Sequence, residues 1–561
     1  MSGAEDPVTW PVGFRRHLRV ETADGATYLL AEHQVTVLHG SHIAALAPLL
    51  DGTRTIPELV RDPPAGMTPQ QVGATVRELA GAGLVGLHAP AAGDVDTPAL
   101  VYWATAGLDV PGIGKSGVDG RVQLITLGDT DISATELALR DAALSIVPTG
   151  VDADLSVVLC TDYLDPRLAD IDRQHRSAGR PWLLAKPVGT QPWLGPVFQP
   201  DLGCWHCLAD RLRRHRPVDT ILARSGVPTT RPVAAIAPLT VAAGGLIALE
   251  ATKWLAGYRY PGQQTVCTVD SLTLHTRHHE LRVRPQCAHC GDPSMMRAIA
   301  WRPIELTPRP TADTSSGGHR LLPPERILAR YQHLISPVTG VIKEIRRDTR
   351  GPEFFNVFRS GPNIAIGSQG LDALRSTLRA ENGGKGITPL QAEVGALCEA
   401  IERYSGTFHG DEERVQGSLR SLGEPAIHPN RCQLFHERQY PNRAAWNSTH
   451  GSFQRIPEPF DEQAVTDWTP VWSLTHERHR LLPTAMLYFA VPDGPLRADS
   501  NGNAAGGTLE DALLQGLLEL VERDAVALWW YNRTRAPGVD LDAFTDPWID
   551  ELRTVHTGLN R

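Results

Sequence analysis

Two stretches of this chain set glutamates three residues apart ahead of an arginine: Glu399, Glu402 and Arg403, then Glu519, Glu522 and Arg523. Residues three and four apart share a helix face, so each stretch can aim two carboxylates at one spot. Four carboxylates around one cleft repel unless cations sit among them, and hard divalent ions with oxygen ligands answer that repulsion. The plainer alternative is an exposed helix decorated with the i,i+4 pairs Glu399–Arg403 and Glu519–Arg523. Context favours chemistry. The pattern occurs twice, the second copy follows the polar, glycine-rich SNGNAAGG at 500–507, and the first follows Gly-Gly-Lys-Gly at 383–386, which reads as a turn. The chain has five lysines among 54 basic residues, so a lysine in a glycine turn stands out. Lys385 is read as a phosphate contact: glycines let the backbone approach, and the ammonium meets the charge.

A second constellation is Cys204-x-x-Cys207 with Cys287-x-x-Cys290. Two such pairs predict an all-cysteine zinc site, with two disulfides as the alternative. Four thiolates complete a tetrahedron and leave no open position, so this zinc staples the fold and takes no part in catalysis. His206 and His289, inside the pairs, are then not needed as ligands, and Cys160, Cys267, Cys398 and Cys432 are read as structural.

The elements that must position these groups follow from length and pattern. A chain of 561 residues exceeds one core, and 42% apolar with 21% charged residues describes a globular protein. A net charge of −9 argues against a nucleic-acid partner held by a bulk field. The start, MSGAEDPVTW, lacks a signal peptide's basic and apolar regions; the uncharged stretch 233–249 contains Pro238 and reads as a buried helix, not a membrane span. The expected location is the cytoplasm.

Residues 13–95 read as strands around an Asp24-Gly25 turn, then helices over HIAALAPLLDG, TIPELV and TPQQVGATVRELAGAGLVGL. Three strands with three helices make a small winged-helix arrangement, and its 41–90 surface has three arginines against four acids, too few for DNA binding. From 98 to 305 the chain reads as α/β, with buried parallel strands at 121–128, 153–160 and 181–188. GIGKS at 112–116 is not a P-loop, because Asp109 holds the required glycine position. Residues 306–324 are a Pro/Ser/Gly linker, and 325–561 carries the glutamates.

Three resemblances attach to these residues. The stretches 383–405 and 500–533 resemble the two nucleotide signatures of the YcaO family, S-x-x-x-E-x-x-E-R and Q-x-x-x-E-x-x-E-R; Gly395 stands where the first has serine. This resemblance implies ATP bound through Mg2+ held by Glu399, Glu402, Glu519 and Glu522. Lys385, Arg403, Asn503, Gln515 and Arg523 would be further cofactor contacts. Residues 1–97, with their LLDG and AGLV punctuation, are similar to PqqD-like leader-recognition domains, in which a leader peptide adds to a strand edge, here 33–40, beside the helix at 68–83. Residues 98–305, with WLGPVFQPDLGCWHCLADRL ahead of the second cysteine pair, resemble the E1-like superfamily. The first strand there ends in LGDTD (127–131) without a Gly-rich loop, so nucleotide binding is inferred to be lost in that domain.

The expected architecture is therefore multidomain α/β and α+β: a winged-helix-like leader-recognition domain (1–97), a Rossmann-type E1-like domain with the four-cysteine zinc site (98–305), and, after the linker, a YcaO α+β domain (325–561). Family members continue further and often end in a proline-rich tail linked to catalysis, so that domain is expected to be carboxyl-terminally incomplete, a fragment or one completed by another chain. Together the three match the fused cyclodehydratases of ribosomal peptide and bacteriocin pathways. The implied reaction is ATP-dependent closure of Cys, Ser or Thr residues of a precursor to thiazolines or oxazolines, with ATP, Mg2+ and a structural Zn2+. The implied partner is the precursor through its leader, with an azoline dehydrogenase, other pathway enzymes and a homodimer as further expectations, and neither nucleic acid nor membrane. Alternatives are a non-catalytic leader-binding scaffold, backbone thioamidation, and adenylation by the E1-like domain. No general base is legible.

Overall fold

The computed structural model describes residues 10–88, 97–108, 118, 120–224, 226, 233–312, 320–363, 381–451, 454–492 and 496–559. Asp109, the GIGKS stretch and the middle of the linker lie outside them. The chain forms two compact units, one of 1–200 with 233–278, the other of 201–232 with 279–561.

In the first unit, β1 (Pro11–Phe14) pairs with β5 (Asp51–Thr55) and β6 (Val85–Leu87), and β2 (Arg19–Ala23), β3 (Ala26–Leu30) and β4 (Val35–His39) form a second three-stranded sheet. The expected three strands are thus six among the described residues. Short strands separated by polar residues escape a pattern reading, since each carries only two or three inward side chains. Asp24 (φ 51°) and Gly25 (φ 76°) make the β2–β3 turn, both in the left-handed region that tight hairpins demand. Helices Ile56–Arg61 and Pro69–Gly81 each start at a capping box, Thr55 with Glu58 and Thr68 with Gln71. Phe14, Leu29, Leu46, Leu59, Val72 and Val76 fill the core between sheets and helices. The expected leader edge, β4, is an outer strand of its sheet, with Val35 and Val37 exposed.

The same unit holds a seven-stranded sheet in the order β13-β12-β11-β10-β9-β7-β8. Here β7 (Arg121–Thr126), β9 (Leu155–Leu159) and β10 (Trp182–Lys186) are parallel, as expected of 121–128, 153–160 and 181–188, and β8 (Ser145–Val147), which the sequence reading did not give, adds a fourth parallel strand. β11 (Trp193–Phe198) and β12 (Thr265–Asp270) continue antiparallel, and β13 (His275–Glu280) is the edge. The uncharged stretch does form a helix, Ala237–Leu255, but only one side is buried: Ile247, Ala251 and Trp254 enter the core, while Val241, Leu246 and Leu249 are exposed. An all-apolar sequence hides which side packs, because nothing polar marks the solvent face.

The second unit contains the cysteine helix, Trp205–His215; a sheet of β14 (Arg346–Arg347), β15 (Asn356–Pro362) and β16 (Glu381–Gly386); the first glutamate helix, Pro389–Ser405; a meander of β17 (Val415–Gly417), β18 (Thr466–Ser473) and β19 (Arg478–Pro483); and the second glutamate helix, Leu509–Asn532. Leu397 and Ala400 of the first glutamate helix pack on Ile327 and Ile342, and fully buried Trp468 anchors the meander. No helix among the described residues is long and apolar enough to cross a membrane.

Candidate functional site

The first glutamate helix begins at a capping box on Thr388. Thr388 Oγ1 accepts from Gln391 N–H (3.3 Å), Gln391 Oε1 accepts from Thr388 and Ile387 N–H, and Pro389 occupies the first helical position. The residues before it correct the expected turn. Gly383-Gly384-Lys385-Gly386 lie in β16, an edge strand whose Lys385 pairs with Val357 of β15. The glycines serve close packing. A Cβ on Gly384 would lie 2.1 Å from Ala392 O and 2.2 Å from Ala396 N, and one on Gly386 2.6 Å from Gln391 Cβ, so the strand lies directly on the helix backbone. Gly395 meets Gly384 in return, a Cβ there falling 3.3 Å from Gly384 Cα, so the glycine that replaces the signature serine is part of the same close contact. Lys385 is exposed on this strand.

That contact brings the strand edge to the carboxylates. Gly383 N–H donates to Glu399 Oε2 at 2.7 Å; the Arg403 guanidinium lies 3.5 Å from Glu399 Oε1 and 2.6 Å from Glu402 Oε1. Burial pushes the Glu402 carboxyl up to about 7; Arg403 opposes this, and the charges of Glu519 and Glu399 add to it. Glu519 comes from the second glutamate helix. That helix starts at Thr508, whose Oγ1 accepts from Asp511 N–H, and presses on the glycine-rich loop: a Cβ on Gly516 would fall 2.5 Å from Gly502 O. Gly502 N–H donates to Glu519 Oε2 (3.1 Å), and Arg523 lies 3.0 Å from Glu519 Oε1. The loop also reaches the end of the first helix, since the Asn503 amide lies 3.3 Å from where a Gly406 Cβ would be.

The two signatures therefore come together at Glu402, which feels the charge of Glu519, and at Gly406, beside Asn503. Gln515 and Glu522 sit one turn to either side of Glu519 on its face; Gln515 is half-buried, and Glu522 and Arg523 are exposed. Among the described residues only the four cysteines bring three or more ligand atoms within 4.8 Å of one another, so the glutamate oxygens are not drawn together that tightly. A divalent cation suits this donor set, because it would offset both the burial of the Glu402 carboxylate and the smaller repulsion from Glu519 and Glu399.

The cysteines fit zinc more directly. Tetrahedral Zn–S bonds of about 2.3 Å put sulfurs about 3.8 Å apart. Here Cys204–Cys207, Cys204–Cys287 and Cys207–Cys290 are 3.9, 3.5 and 3.3 Å apart, too long for disulfides, and all eight cysteines are free thiols. Contacts with neighbouring sulfurs push the Cys204 thiol up and the Cys287 thiol down, and a bound cation would favour the thiolate at each. The His206 and His289 rings stack at 3.6 Å beside the cluster.

One group at this site was not legible in the sequence: Tyr404, directly after Arg403, lies beneath two arginines of the cysteine helix. No local signal could have found it, since the partners are some 190 residues apart.

Comparison with known proteins gives the following. Residues 383–561 match the family described as YcaO cyclodehydratase, ATP- and Mg2+-binding, and residues 128–291 match the ThiF family. A solved heterocyclase in complex with substrate and cofactor is 37% identical with a TM-score of 0.85, covering 98% of this chain and 75% of that one. The heterocyclase TruD is 33% identical with a TM-score of 0.74, covering 98% and 74%. A protein of Methanothermobacter thermautotrophicus is 28% identical over 188 residues, and the match spans 42% of its length.

Proposed function

The chain belongs to the YcaO heterocyclase family, and from that premise we propose that it carries out ATP-dependent cyclodehydration of a ribosomally made precursor peptide. A Cys, Ser or Thr side chain attacks the preceding backbone carbonyl, the oxygen of the adduct is phosphorylated by ATP, and loss of phosphate leaves a thiazoline or oxazoline. The observation that carries the reading is the lift of Glu402 by burial together with Glu519, a residue of the other signature.

In this reading Glu399, Glu402, Glu519 and Glu522 hold Mg2+, which would neutralise the triphosphate and the charge developing on the transferred phosphoryl group. Arg403 and Arg523 fix the carboxylates in place, and the Gly383 and Gly502 N–H groups aim Glu399 and Glu519. Asn503 and Gln515 would be nucleotide contacts, and Lys385 would supply a cation for its phosphates. Cys204, Cys207, Cys287 and Cys290 hold a structural Zn2+. Residues 1–97 take the leader, so that tethering raises the effective concentration of core residues at the cleft; 98–305 serve as scaffold and 325–561 as the ATP-binding domain. Free thiols throughout are consistent with a reducing cytoplasm.

The test is Glu519→Gln. Precursor-dependent release of orthophosphate should vanish while leader binding survives; unchanged turnover would remove the magnesium assignment. Leader binding without turnover in the parent would favour a scaffold role, and release of pyrophosphate would favour adenylation.

A further inference from the structure

The cysteine helix carries Cys204 and Cys207 at its start and Arg211 and Arg214 further along. The Arg211 guanidinium lies 4.9 Å from the centroid of the Tyr404 ring and that of Arg214 5.2 Å, both within the range where a cation is drawn to an aromatic face. Among the described residues Arg211 Nη1 is buried without a hydrogen-bond partner, and the Tyr404 ring lies against the same guanidinium. Arg214 is held in turn: its Nε donates to Asp210 Oδ2 at 3.0 Å, and its Nη2 lies 3.4 Å from His409 Nδ1. The same His409 lies, through Nε2, 3.2 Å from the Tyr404 carbonyl. Asp210 also faces Arg284 Nε at 3.1 Å, and Arg284 N–H donates to Cys207 Sγ at 3.3 Å. A continuous series of contacts thus runs from the cysteine cluster to Tyr404, the residue after Arg403 in the last turn of the first glutamate helix.

We propose that Tyr404 is a positioning residue: Arg211 and Arg214 hold its ring, and through it the four-cysteine module sets the register of Glu402 and Arg403, and so the affinity for MgATP. This gives the cluster a role beyond stapling, because a turn free to shift by about 1 Å would no longer present its carboxylate correctly. The nucleotide part rests on the reading of the glutamates given above; the positioning part does not.

The experiment compares the parent chain with Tyr404→Phe, Tyr404→Leu, Arg211→Met and the control Glu519→Gln. It measures MgATP affinity by calorimetry, amide exchange over residues 399–407 without nucleotide, and bound zinc. Tyr404→Leu and Arg211→Met should weaken MgATP by about tenfold, the scale of a partly desolvated cation–ring contact. Both should also speed exchange over 399–407 with zinc content unchanged, and Tyr404→Phe, which keeps the ring and loses only the hydroxyl that faces Arg284, should stay closer to the parent than to Tyr404→Leu in both readouts. Parent-like exchange in Tyr404→Leu would overturn the inference, as would a loss in Tyr404→Phe equal to that in Tyr404→Leu. Loss of zinc in Tyr404→Leu would do the same, since the ring would then be supporting the metal module and not the helix. If Glu519→Gln binds MgATP like the parent, the glutamate reading falls, and exchange over 399–407 decides the positioning of the turn by itself.

Discussion

Gly384→Ala tests whether strand and helix must touch for the site to exist. The added methyl would lie 2.1 Å from Ala392 O and 2.2 Å from Ala396 N, both backbone atoms of the first glutamate helix that cannot rotate away. Restoring ordinary contact requires β16 and the helix to part by about 1 Å, and overpacking of this kind costs about 1–3 kcal/mol. The same displacement stretches the 2.7 Å bond from Gly383 N–H to Glu399 past hydrogen-bonding distance, at a further cost of about 1.5–3 kcal/mol for a charged acceptor. These effects overlap, so the expected loss is about 3 kcal/mol, read as a lower urea midpoint for the unit that contains Trp468, together with weaker MgATP binding. Gly383→Ala is the control: it is exposed, its methyl would lie 3.2 Å from Phe358 O, and its cost should stay below about 1 kcal/mol. Equal stability of Gly384→Ala and the parent, or equal damage from both substitutions, would refute the argument from close packing.

Three further outcomes are expected. The raised Glu402 carboxyl, near 7 when folded and about 4.3 when unfolded, favours the fold most below the unfolded value, and that contribution is lost as pH rises through about 7. Because a metal ligand must be ionised, MgATP affinity should run the other way, falling about tenfold from pH 8 to pH 6. Glu402→Gln should flatten the titration curve, and a flat curve in the parent would contradict the placement of Glu402. Cys207→Ser should abolish zinc binding, measured by metal analysis, and lower the thermal midpoint; full zinc in the variant would exclude the proposed ligand set. Thr388→Ala should cost about 1 kcal/mol through loss of the capping box, seen as a lower denaturation midpoint, and an unchanged midpoint would show that the strand contact alone sets the helix start.

The sequence by itself determined the chemistry available to this protein. E-x-x-E-R at 399–403 and 519–523 and the C-x-x-C pairs at 204–207 and 287–290 are local spacings, and a local spacing fixes which side chains share a helix turn. Three of the parallel strands and the two glutamate helices were legible for the same reason, as was the Asp24-Gly25 turn. What only the tertiary structure decided depends on neighbours remote in sequence. A glycine run reads alike in a turn and in a strand laid on a helix, and Gly384 is resolved only by the backbone of Ala392 and Ala396 against it. The packed side of helix Ala237–Leu255 was hidden because from Ala237 to Leu249 no charged residue marks a solvent face, and Glu250, the first charge, is itself buried. The lift of Glu402 by burial, with Glu519 adding to it, and the hold of Arg211 on Tyr404 depend on the fold alone, since burial, charge and ring contacts act through space and leave no periodic trace along the chain.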